Sequence, residues 1–210
     1  MGEHYFAADP QVPSQPRVVH LRLDGRDLAL TSDRGVFSYG RLDAGTGVLL
    51  REAPPPAGDV LVDLGCGYGP VACVLALRRP SATVWAVDVN PRARALTAAN
   101  AAALGLADRV RPASPDEIGE DLQADEIWSN PPVRIGKAAL HDLLAQWLPR
   151  LRPDGRAWLV VARNLGSDSL ARWLAEQGWR VDRHASAQGY RVLRVRPRPV
   201  PGPSGVPPAF

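Results

Sequence analysis

The amino-acid sequence predicts a doubly wound α/β fold, in which helices cover both faces of a mostly parallel β-sheet. From Gly58 onward, short continuous apolar runs alternate with helical patterns. Continuous apolar strands are typical of parallel sheets that are buried on both faces. The chain has 210 residues, of which 45% are hydrophobic, so it is long enough to build one substantial core.

An N-terminal β-hairpin is expected before this alternating region. The runs RVVHLRL and RDLALTS are joined by Asp24-Gly25, a strong signal for a two-residue turn. A glycine-punctuated loop, SDRGVFSYGRLDAGTG, and a short apolar piece, VLL, come next. We therefore expect residues 1–57 to form a hairpin and a covering segment that pack on the domain made by residues 58–196.

The alternating region predicts five strands, four helices and a terminal hairpin. In chain order the strands and helices are DVLVDLG, PVACVLALRR, TVWAVDVN, PRARALTAANAAALG, RVRPA, ADEIWSN, GKAALHDLLAQWLPRL, GRAWLVVAR and SDSLARWLAEQG, followed by the hairpin WRVDRHAS and YRVLRVR. Asn90 caps the second helix, with Pro91 at its first position and Gly105 at its end. The hairpin places one antiparallel strand at or near a sheet edge. Residues 197–210 contain six prolines, which favours disorder.

Composition excludes several classes of protein. No segment approaches the roughly 20 apolar residues that a membrane span needs. The N-terminal MGEHYFAADP has no basic region followed by an apolar run, so no secretory signal is expected and the predicted location is cytoplasmic. Cys66 and Cys73 do not have metal-ligand spacing and the four histidines are scattered, so we expect neither a metal site nor a disulfide.

The motif DLGCGYGP marks the first candidate binding site. Gly65, Gly67 and Gly69 stand where a buried strand ends and a helix begins, so a ligand can approach the backbone closely. A dinucleotide site would have the pattern G-x-G-x-x-G, but here the third glycine comes one residue early and Pro70 takes its place. Asp63 would also repel a nearby pyrophosphate. A carboxylate in that position favours a cationic ligand.

Asp88 extends the same pattern to the end of the second strand, 23 residues after Gly65. A carboxylate there is suited to accept hydrogen bonds from both hydroxyls of a ribose. S-adenosylmethionine has a ribose, an ammonium and a sulfonium, and it has no phosphate. Asp63, the three glycines and Asp88 together therefore predict S-adenosylmethionine as the cofactor.

The motif SNPPVRIGK predicts a stiff turn after the fourth strand of the alternating region. Pro131 and Pro132 cannot donate hydrogen bonds, and the fourth strand should lie beside the first, so Asn130 opens into the same crevice. The side-chain carbonyl of Asn130 and the main-chain carbonyl of Pro131 are two acceptors for an exocyclic –NH2 group. Holding both hydrogens would orient the lone pair of that amine toward a sulfonium methyl group. We interpret Asn130, Pro131 and Pro132 as the catalytic turn of an amine methyltransferase.

DLGCGYGP, VDVN and SNPPVRIGK together resemble the class I methyltransferases that methylate guanine N2 of small-subunit ribosomal RNA, the RsmC-like family. The resemblance extends to HYF, TSDRGVFSYGRLDAGT and GYRVL, so it reaches from His4 to about Val195. It implies a seven-stranded sheet of order 3-2-1-4-5-7-6 with strand 7 antiparallel. It also implies that Asp43, Gly45 and Thr46 help to enclose the methionine end of the cofactor, and that Phe37 lies at the pocket mouth.

The residues after the prolines bear on the substrate. Adenine-N6 and glutamine-N5 methyltransferases usually have an aromatic residue where this chain has Val133, which weakens those two alternatives without removing them. Arg134 and Lys137 could meet the phosphates that flank a flipped-out base. The expected partner is therefore RNA, either as ribosomal RNA or as part of the small ribosomal subunit. A cofactor-binding or RNA-binding relic without activity is the non-enzyme alternative.

Long members of the family contain a further N-terminal copy of the fold that has lost its cofactor motifs. This chain has only the short hairpin in front of its alternating region, so its substrate recognition could be thinner or could depend on a partner.

Overall fold

The computed structural model describes residues 12–132 and 136–198. The strands are β1 Arg17–Leu23, β2 Arg26–Ser32, β3 Val60–Leu64, β4 Thr83–Val87, β5 Val110–Ala113, β6 Ala124–Ser129, β7 Leu151–Ala162, β8 Arg180–Ala187 and β9 Tyr190–Arg196. The helices are α1 Ala44–Glu52, α2 Pro70–Arg78, α3 Pro91–Ala103, α4 Lys137–Trp147 and α5 Ser167–Glu176.

The main sheet has seven strands in the order β5-β4-β3-β6-β7-β9-β8. Counted from β3, this is the predicted order 3-2-1-4-5-7-6. Strand β3 pairs in parallel with β4 on one side and with β6 on the other, whereas β9 is antiparallel to both β7 and β8. The predicted doubly wound fold, its strand order and its antiparallel seventh strand are confirmed.

The N-terminal hairpin forms a separate two-stranded sheet from β1 and β2. Asp24 and Gly25 both have positive φ, 52° and 72°, as a turn that follows the right-handed twist of its strands requires. The side chain of Arg78 in α2 donates two hydrogen bonds to the Asp24 carboxylate and so fastens the turn to the main domain. The predicted hairpin is confirmed, while the domain boundaries after residues 57 and 196 stay predictions.

Helix α1 corrects the expectation of a loop followed by a short apolar piece. Asp43 caps the helix, because its carboxylate accepts a hydrogen bond from the backbone N–H of Thr46 at 3.0 Å. The two glycines in AGTGVLLRE have low helix propensity, so the local sequence does not indicate a helix. Val48, Leu49 and Leu50 are fully buried. Their burial in the core supplies the stabilisation that local propensity lacks.

Two apolar cores lie on the two faces of the main sheet. The hairpin and helices α1, α2 and α3 contribute to one core, and helices α4 and α5 contribute to the other. The free thiols of Cys66 and Cys73 are buried, and burial raises the pKa of both. No helix in the described part of the chain has the length and apolar character needed to cross a membrane. The disorder expected for residues 197–210 falls almost entirely on residues 199–210, which lie outside the described residues.

Asn100 in α3 ties the hairpin to the glycine turn. Its side-chain oxygen accepts from the N–H of Thr31 at 2.8 Å, and its nitrogen donates to the carbonyls of Thr31 and Tyr68 at 2.9 and 2.8 Å. Because Asn100 is 3% exposed, water cannot replace these bonds easily. The amide therefore acts as a buried bridge between strand β2, helix α3 and the turn after β3.

We expect Asn100→Ala to lower the free energy of unfolding by about 2–4 kcal/mol, since it leaves buried backbone groups without partners. Denaturant unfolding followed by circular dichroism measures the change. Asn164→Ala is the matched control, because Asn164 is exposed and should change stability by less than about 0.5 kcal/mol. Equal effects of the two substitutions would show that the bridge contributes nothing to stability.

Candidate active site

A cavity of about 830 Å³ opens at the carboxyl ends of strands β3, β4, β6 and β7. Ligands of open α/β sheets bind at this edge, next to the point where the chain connections begin to run toward the opposite side of the sheet. Here that point is beside β3, because β4 and β5 extend the sheet on one side of β3 and β6 begins its extension on the other. A smaller pocket of about 20 Å³ adjoins the cavity and shares Asp43, Gly65 and Asn130 with its lining.

The glycine turn after β3 has the left-handed backbone that its sequence predicts. Gly65, Gly67 and Gly69 have φ values of 79°, 58° and 87°, a region that residues with a side chain rarely adopt. Gly65 lines the cavity and Gly67 lines the small pocket. Gly69 lines neither; a Cβ there would lie 2.9 Å from the side chain of Thr97, so this glycine permits close packing of the turn against α3.

Asp88 lies at the end of β4 and lines the cavity. Its Oδ1 accepts from the N–H of Asn90 and its Oδ2 from the N–H of Gly67, both at 2.9 Å. Burial raises the pKa of Asp88, although these two N–H groups and the charge of Arg94 act in the opposite direction. Each carboxylate oxygen retains a second lone pair, so Asp88 can still accept bonds from two hydroxyl groups.

Asp63 lines the small pocket and is 2% exposed. Burial raises the pKa of Asp63 to about 7, against the hydrogen bond from Ala72 N–H and with a further contribution from the charge of Asp88. The two carboxylates repel a further negative charge in this buried site, so they disfavour a phosphate ligand and favour a cation. These groups fit S-adenosylmethionine: Asp88 would hold its ribose, and Asp63 its positively charged end.

The segment between β2 and α1 covers the glycine turn. Asn90 donates from its side-chain nitrogen to the carbonyl of Gly35 at 2.8 Å, and the Tyr68 hydroxyl donates to the carbonyl of Arg41 at 3.1 Å. Phe37, which the family resemblance implies at the pocket mouth, lines both the cavity and the small pocket. The covering segment is thus fastened to the two loops that end β3 and β4.

The proline turn follows β6, as predicted. Ser129, the last residue of β6, donates from its hydroxyl to the carbonyl of Leu64 at 2.7 Å and so holds the end of this strand against β3. Asn130, Pro131 and Pro132 line the cavity. Val133 and Arg134 lie outside the described residues. Lys137 is the exposed first residue of α4 and is not among the residues that line the cavity.

The side-chain amide of Asn130 is bonded to the start of helix α1. Its Nδ2 lies 2.6 Å from Asp43 Oδ1 and 3.0 Å from Thr46 Oγ1. Both hydrogens of the amide are thereby used. Among the described residues, none donates a hydrogen bond to Asn130 Oδ1, so the carbonyl is the part of the amide that remains available to a ligand.

Tyr190, at the start of β9, is a site residue that the sequence reasoning missed. Its ring lines the cavity, and its Cε1 atom would lie 2.8 Å from a Cβ placed on Gly45. Gly45 does not line either pocket, so here it serves the close packing of α1 against this ring. The only signal in the sequence was the motif GYRVL, which gave no reason to place Tyr190 beside Gly45.

The far side of the cavity is built by the end of β7 and by α4. Val161, Ala162, Leu165, Leu143 and Gln146 line this part. Leu165 is an exposed apolar side chain at 49%. Throughout residues 12–132 and 136–198, no group of three or more His, Cys, Asp or Glu side chains is arranged to hold a metal ion.

The sheet order, the glycine turn and the two strand-end carboxylates define a class I methyltransferase, an enzyme class that takes its methyl group from S-adenosylmethionine. The family model described as "Methyltransferase small domain" matches residues 27–194, and the chain belongs to that family. The prediction of an RsmC-like methyltransferase that depends on S-adenosylmethionine is confirmed.

Three relatives define the similarity further. The uncharacterized protein YbxB of Bacillus subtilis is 32% identical over 93% of this chain and 99% of its own length. Ribosomal RNA small subunit methyltransferase C of Ectopseudomonas mendocina is 31% identical over 90% of this chain and 57% of its own. The structure of the T. thermophilus 16S rRNA N2 G1207 methyltransferase RsmC, in complex with AdoMet and guanosine, is 26% identical with a TM-score of 0.74, over 90% of this chain and 52% of that one. The chain spans about half the length of these two RsmC proteins.

The raised pKa of Asp63 predicts that cofactor affinity depends on pH. A cation binds the ionised carboxylate, so protonation below pH 7 competes with binding. We expect the Kd for S-adenosylmethionine to fall about tenfold as the pH rises from 5.5 to 7, as measured by isothermal titration calorimetry. Asp63→Asn should bind more weakly and with little pH dependence. Asp108→Asn, at an exposed position, should keep the wild-type slope.

The raised pKa of Asp63 also predicts that the stability of the ligand-free protein depends on pH. The folded pKa of about 7 exceeds the unfolded value of about 4, so the stabilising contribution of protonated Asp63 is complete below pH 4. It is lost as the pH rises to about 7. We expect the unfolding free energy of Asp63→Asn, relative to wild type, to increase across this window. A constant difference would contradict the assignment.

Proposed function

We propose that this methyltransferase methylates an exocyclic amino group of RNA, namely guanine N2 in small-subunit ribosomal RNA. The observation on which the proposal depends is the fixed amide of Asn130, whose NH2 group is bonded to Asp43 and Thr46 while its carbonyl oxygen is left for a ligand. Pro131, whose main-chain carbonyl is the second acceptor in this proposal, lines the same cavity. Two fixed acceptors are the partners that a planar –NH2 group requires.

The chemistry that such an amine needs is mainly orientation. The lone pair of an exocyclic base amine is delocalised into the ring, which makes the amine a weak nucleophile. Asn130 Oδ1 and the Pro131 carbonyl would each accept one N–H, turning the lone pair out of the ring plane and toward the cofactor. Bound S-adenosylmethionine supplies an activated methyl group. Most of the acceleration then comes from positioning and from fixed dipoles that stabilise the positive charge developing on the amine nitrogen.

In this proposal the cofactor and the methyl acceptor bind on either side of Asn130. Asp63, Asp88 and the glycine turn lie at β3 and β4, whereas the other part of the cavity lies at β7 and α4. Strand β6, which Asn130 follows directly, lies between β3 and β7. The cavity of about 830 Å³ is near the upper end of the usual range of roughly 300–1,000 Å³ for ligand sites, so it has room for a base beside the cofactor.

An RNA substrate is supported by the charged and apolar groups at the mouth of the cavity. Arg41 lines it and is exposed, and the exposed Arg163 follows directly after the lining residue Ala162. Lys137 lies outside the lining but begins α4, the helix that contributes Ala139 to it. These cations would meet the phosphates of nucleotides that flank an extruded base. The exposed side chain of Leu165 offers an apolar surface on which a base can pack.

The similar structure of the T. thermophilus enzyme supports guanine over other amine substrates, because that structure contains guanosine and AdoMet. The match covers 90% of this chain and 52% of that protein. Adenine N6 and the side-chain amide of a protein glutamine also present a planar –NH2 group, and the same two acceptors would suit them. The three substrates therefore differ in what surrounds the amine, and the product of the reaction distinguishes them.

Asn130→Ala should reduce kcat by about 10²-fold or more while the Kd for S-adenosylmethionine stays within about twofold, because the substitution removes an acceptor that acts on the methyl acceptor and not on the cofactor. Single-turnover transfer of labelled methyl and calorimetric titration measure the two quantities. Gln177→Ala, which removes an exposed side-chain amide at the end of α5 and outside the cavity lining, is the control. Unchanged turnover in Asn130→Ala would refute an amine-orienting role for this residue.

The substrate is tested by incubating the enzyme and labelled S-adenosylmethionine with unmodified small ribosomal subunits, naked ribosomal RNA and cell protein. We expect N2-methylguanosine in the RNA digest. Methyladenosine would keep the chemistry of Asn130 and overturn the assignment of guanine, and label confined to protein would turn the assignment to glutamine. No transfer to any substrate by a protein that binds the cofactor would support the inactive relic and overturn the proposal.

A further inference from the structure

We propose that Asp43 and Thr46 are positioning residues for methyl transfer, which hold the Asn130 amide in the one orientation that presents its carbonyl to the acceptor amine. This inference rests on the proposed function of Asn130. It differs from the role in enclosing the cofactor that the family resemblance implies for the same two residues, because it assigns their effect to the methyl acceptor.

The contacts define which atom of the amide faces each partner. Asp43 Oδ1 lies 2.6 Å from one terminal atom of the Asn130 side chain. A carboxylate oxygen can only accept, so this atom is the nitrogen Nδ2 and the opposite atom is the carbonyl oxygen. A rotated amide would bring its oxygen against the carboxylate and turn its N–H groups toward the N–H groups of the substrate. Both changes are repulsive, so Asp43 selects one rotamer.

Helix α1 in turn fixes the two partners of Asn130. Asp43 is its N-cap, and Oδ1 accepts from the Thr46 N–H at 3.0 Å as well as from Asn130. Thr46 is 4% exposed, and its hydroxyl lies 3.0 Å from Asn130 Nδ2. The first turn of α1 therefore offers two acceptors at fixed positions, one on the cap and one three residues later.

Tyr190 limits the movement of this turn by close contact with Gly45. A Cβ on Gly45 would lie 2.8 Å from the Tyr190 ring and 3.0 Å from Asp43 Oδ1, so the backbone of α1 is in close contact with the ring beside the carboxylate. The body of α1 packs on β7 and β9. Helix α1 is thus a rigid support for Asn130, and the support comes from a part of the chain 87 residues earlier than Asn130.

Two pairs of variants separate positioning from loss of the helix cap. Asp43→Ser keeps a capping hydroxyl but is too short to reach Asn130, whereas Asp43→Asn keeps an oxygen at the position of Oδ1. Thr46→Val keeps the shape of the side chain and removes the hydroxyl, whereas Thr46→Ser retains it. Thr83→Val, at the amino end of β4 and away from the cavity, is the control for replacing a threonine hydroxyl with a methyl group.

We expect kcat to fall about 10- to 100-fold in Asp43→Ser and about 2- to 10-fold in Thr46→Val, with the Kd for S-adenosylmethionine unchanged. Asp43→Asn and Thr46→Ser should restore most of the loss. In an Asn130→Ala background, Asp43→Ser should cause no further decrease, because both substitutions act through one amide. If the two residues instead hold the cofactor, the Kd rises and the effect persists in that background. That result overturns the inference.

A readout that needs no activity keeps the test independent of the proposed substrate. The side-chain NH2 signals of Asn130, assigned in nitrogen-15 spectra by their absence in Asn130→Ala, should exchange slowly with solvent in wild type and rapidly in Asp43→Ser. Rapid exchange in wild type overturns the inference even if the enzyme methylates RNA. Failure of wild type to transfer methyl to any amine overturns the proposed function, and the exchange result then reports on the amide alone.

Discussion

The parallel pairing of β3 with β4 on one side and β6 on the other is the constraint on which the site depends. Parallel strands end at the same edge, so three turns from distant parts of the chain meet there without further arrangement. Each turn adds a different group: the glycine backbone after β3, the carboxylate of Asp88 after β4 and the amide of Asn130 after β6. Burial between two covered faces then raises the pKa of Asp63 and Asp88, so the sheet also sets the charge preference of the cavity.

Much of this arrangement follows from local sequence patterns. Apolar runs of strand length, helix caps and glycine turns depend on residues that are close in the chain, which is why the strand ends and the residues on them could be placed in advance. Helix α1 could not, because its stability comes from burial of Val48, Leu49 and Leu50 and its own composition argues against it. The bond between Asp43 and Asn130 joins residues 87 positions apart, and neither residue has a local signal for the other.

The two ends of the cavity differ in how they are constructed. The end formed by β3 and β4 is made of backbone groups and short polar side chains, fixed by hydrogen bonds from Asn90, Gly67 and Ala72. The end formed by β7 and α4 has larger side chains, some of them exposed, such as Leu165. A site that binds an invariant cofactor needs fixed polar partners, while a site that admits a base from a large substrate needs access. The contrast accords with the proposed placement of the cofactor and the methyl acceptor.

The contact between Gly45 and Tyr190 has a consequence for how this chain can vary. Gly45 in α1 and Tyr190 at the start of β9 are in close contact. Neither residue can therefore change in size alone. Among related sequences, a larger residue at position 45 should occur together with a smaller one at position 190, so the two positions should covary. Exchanges of the C-terminal hairpin between relatives would therefore need the start of α1 to be exchanged with it.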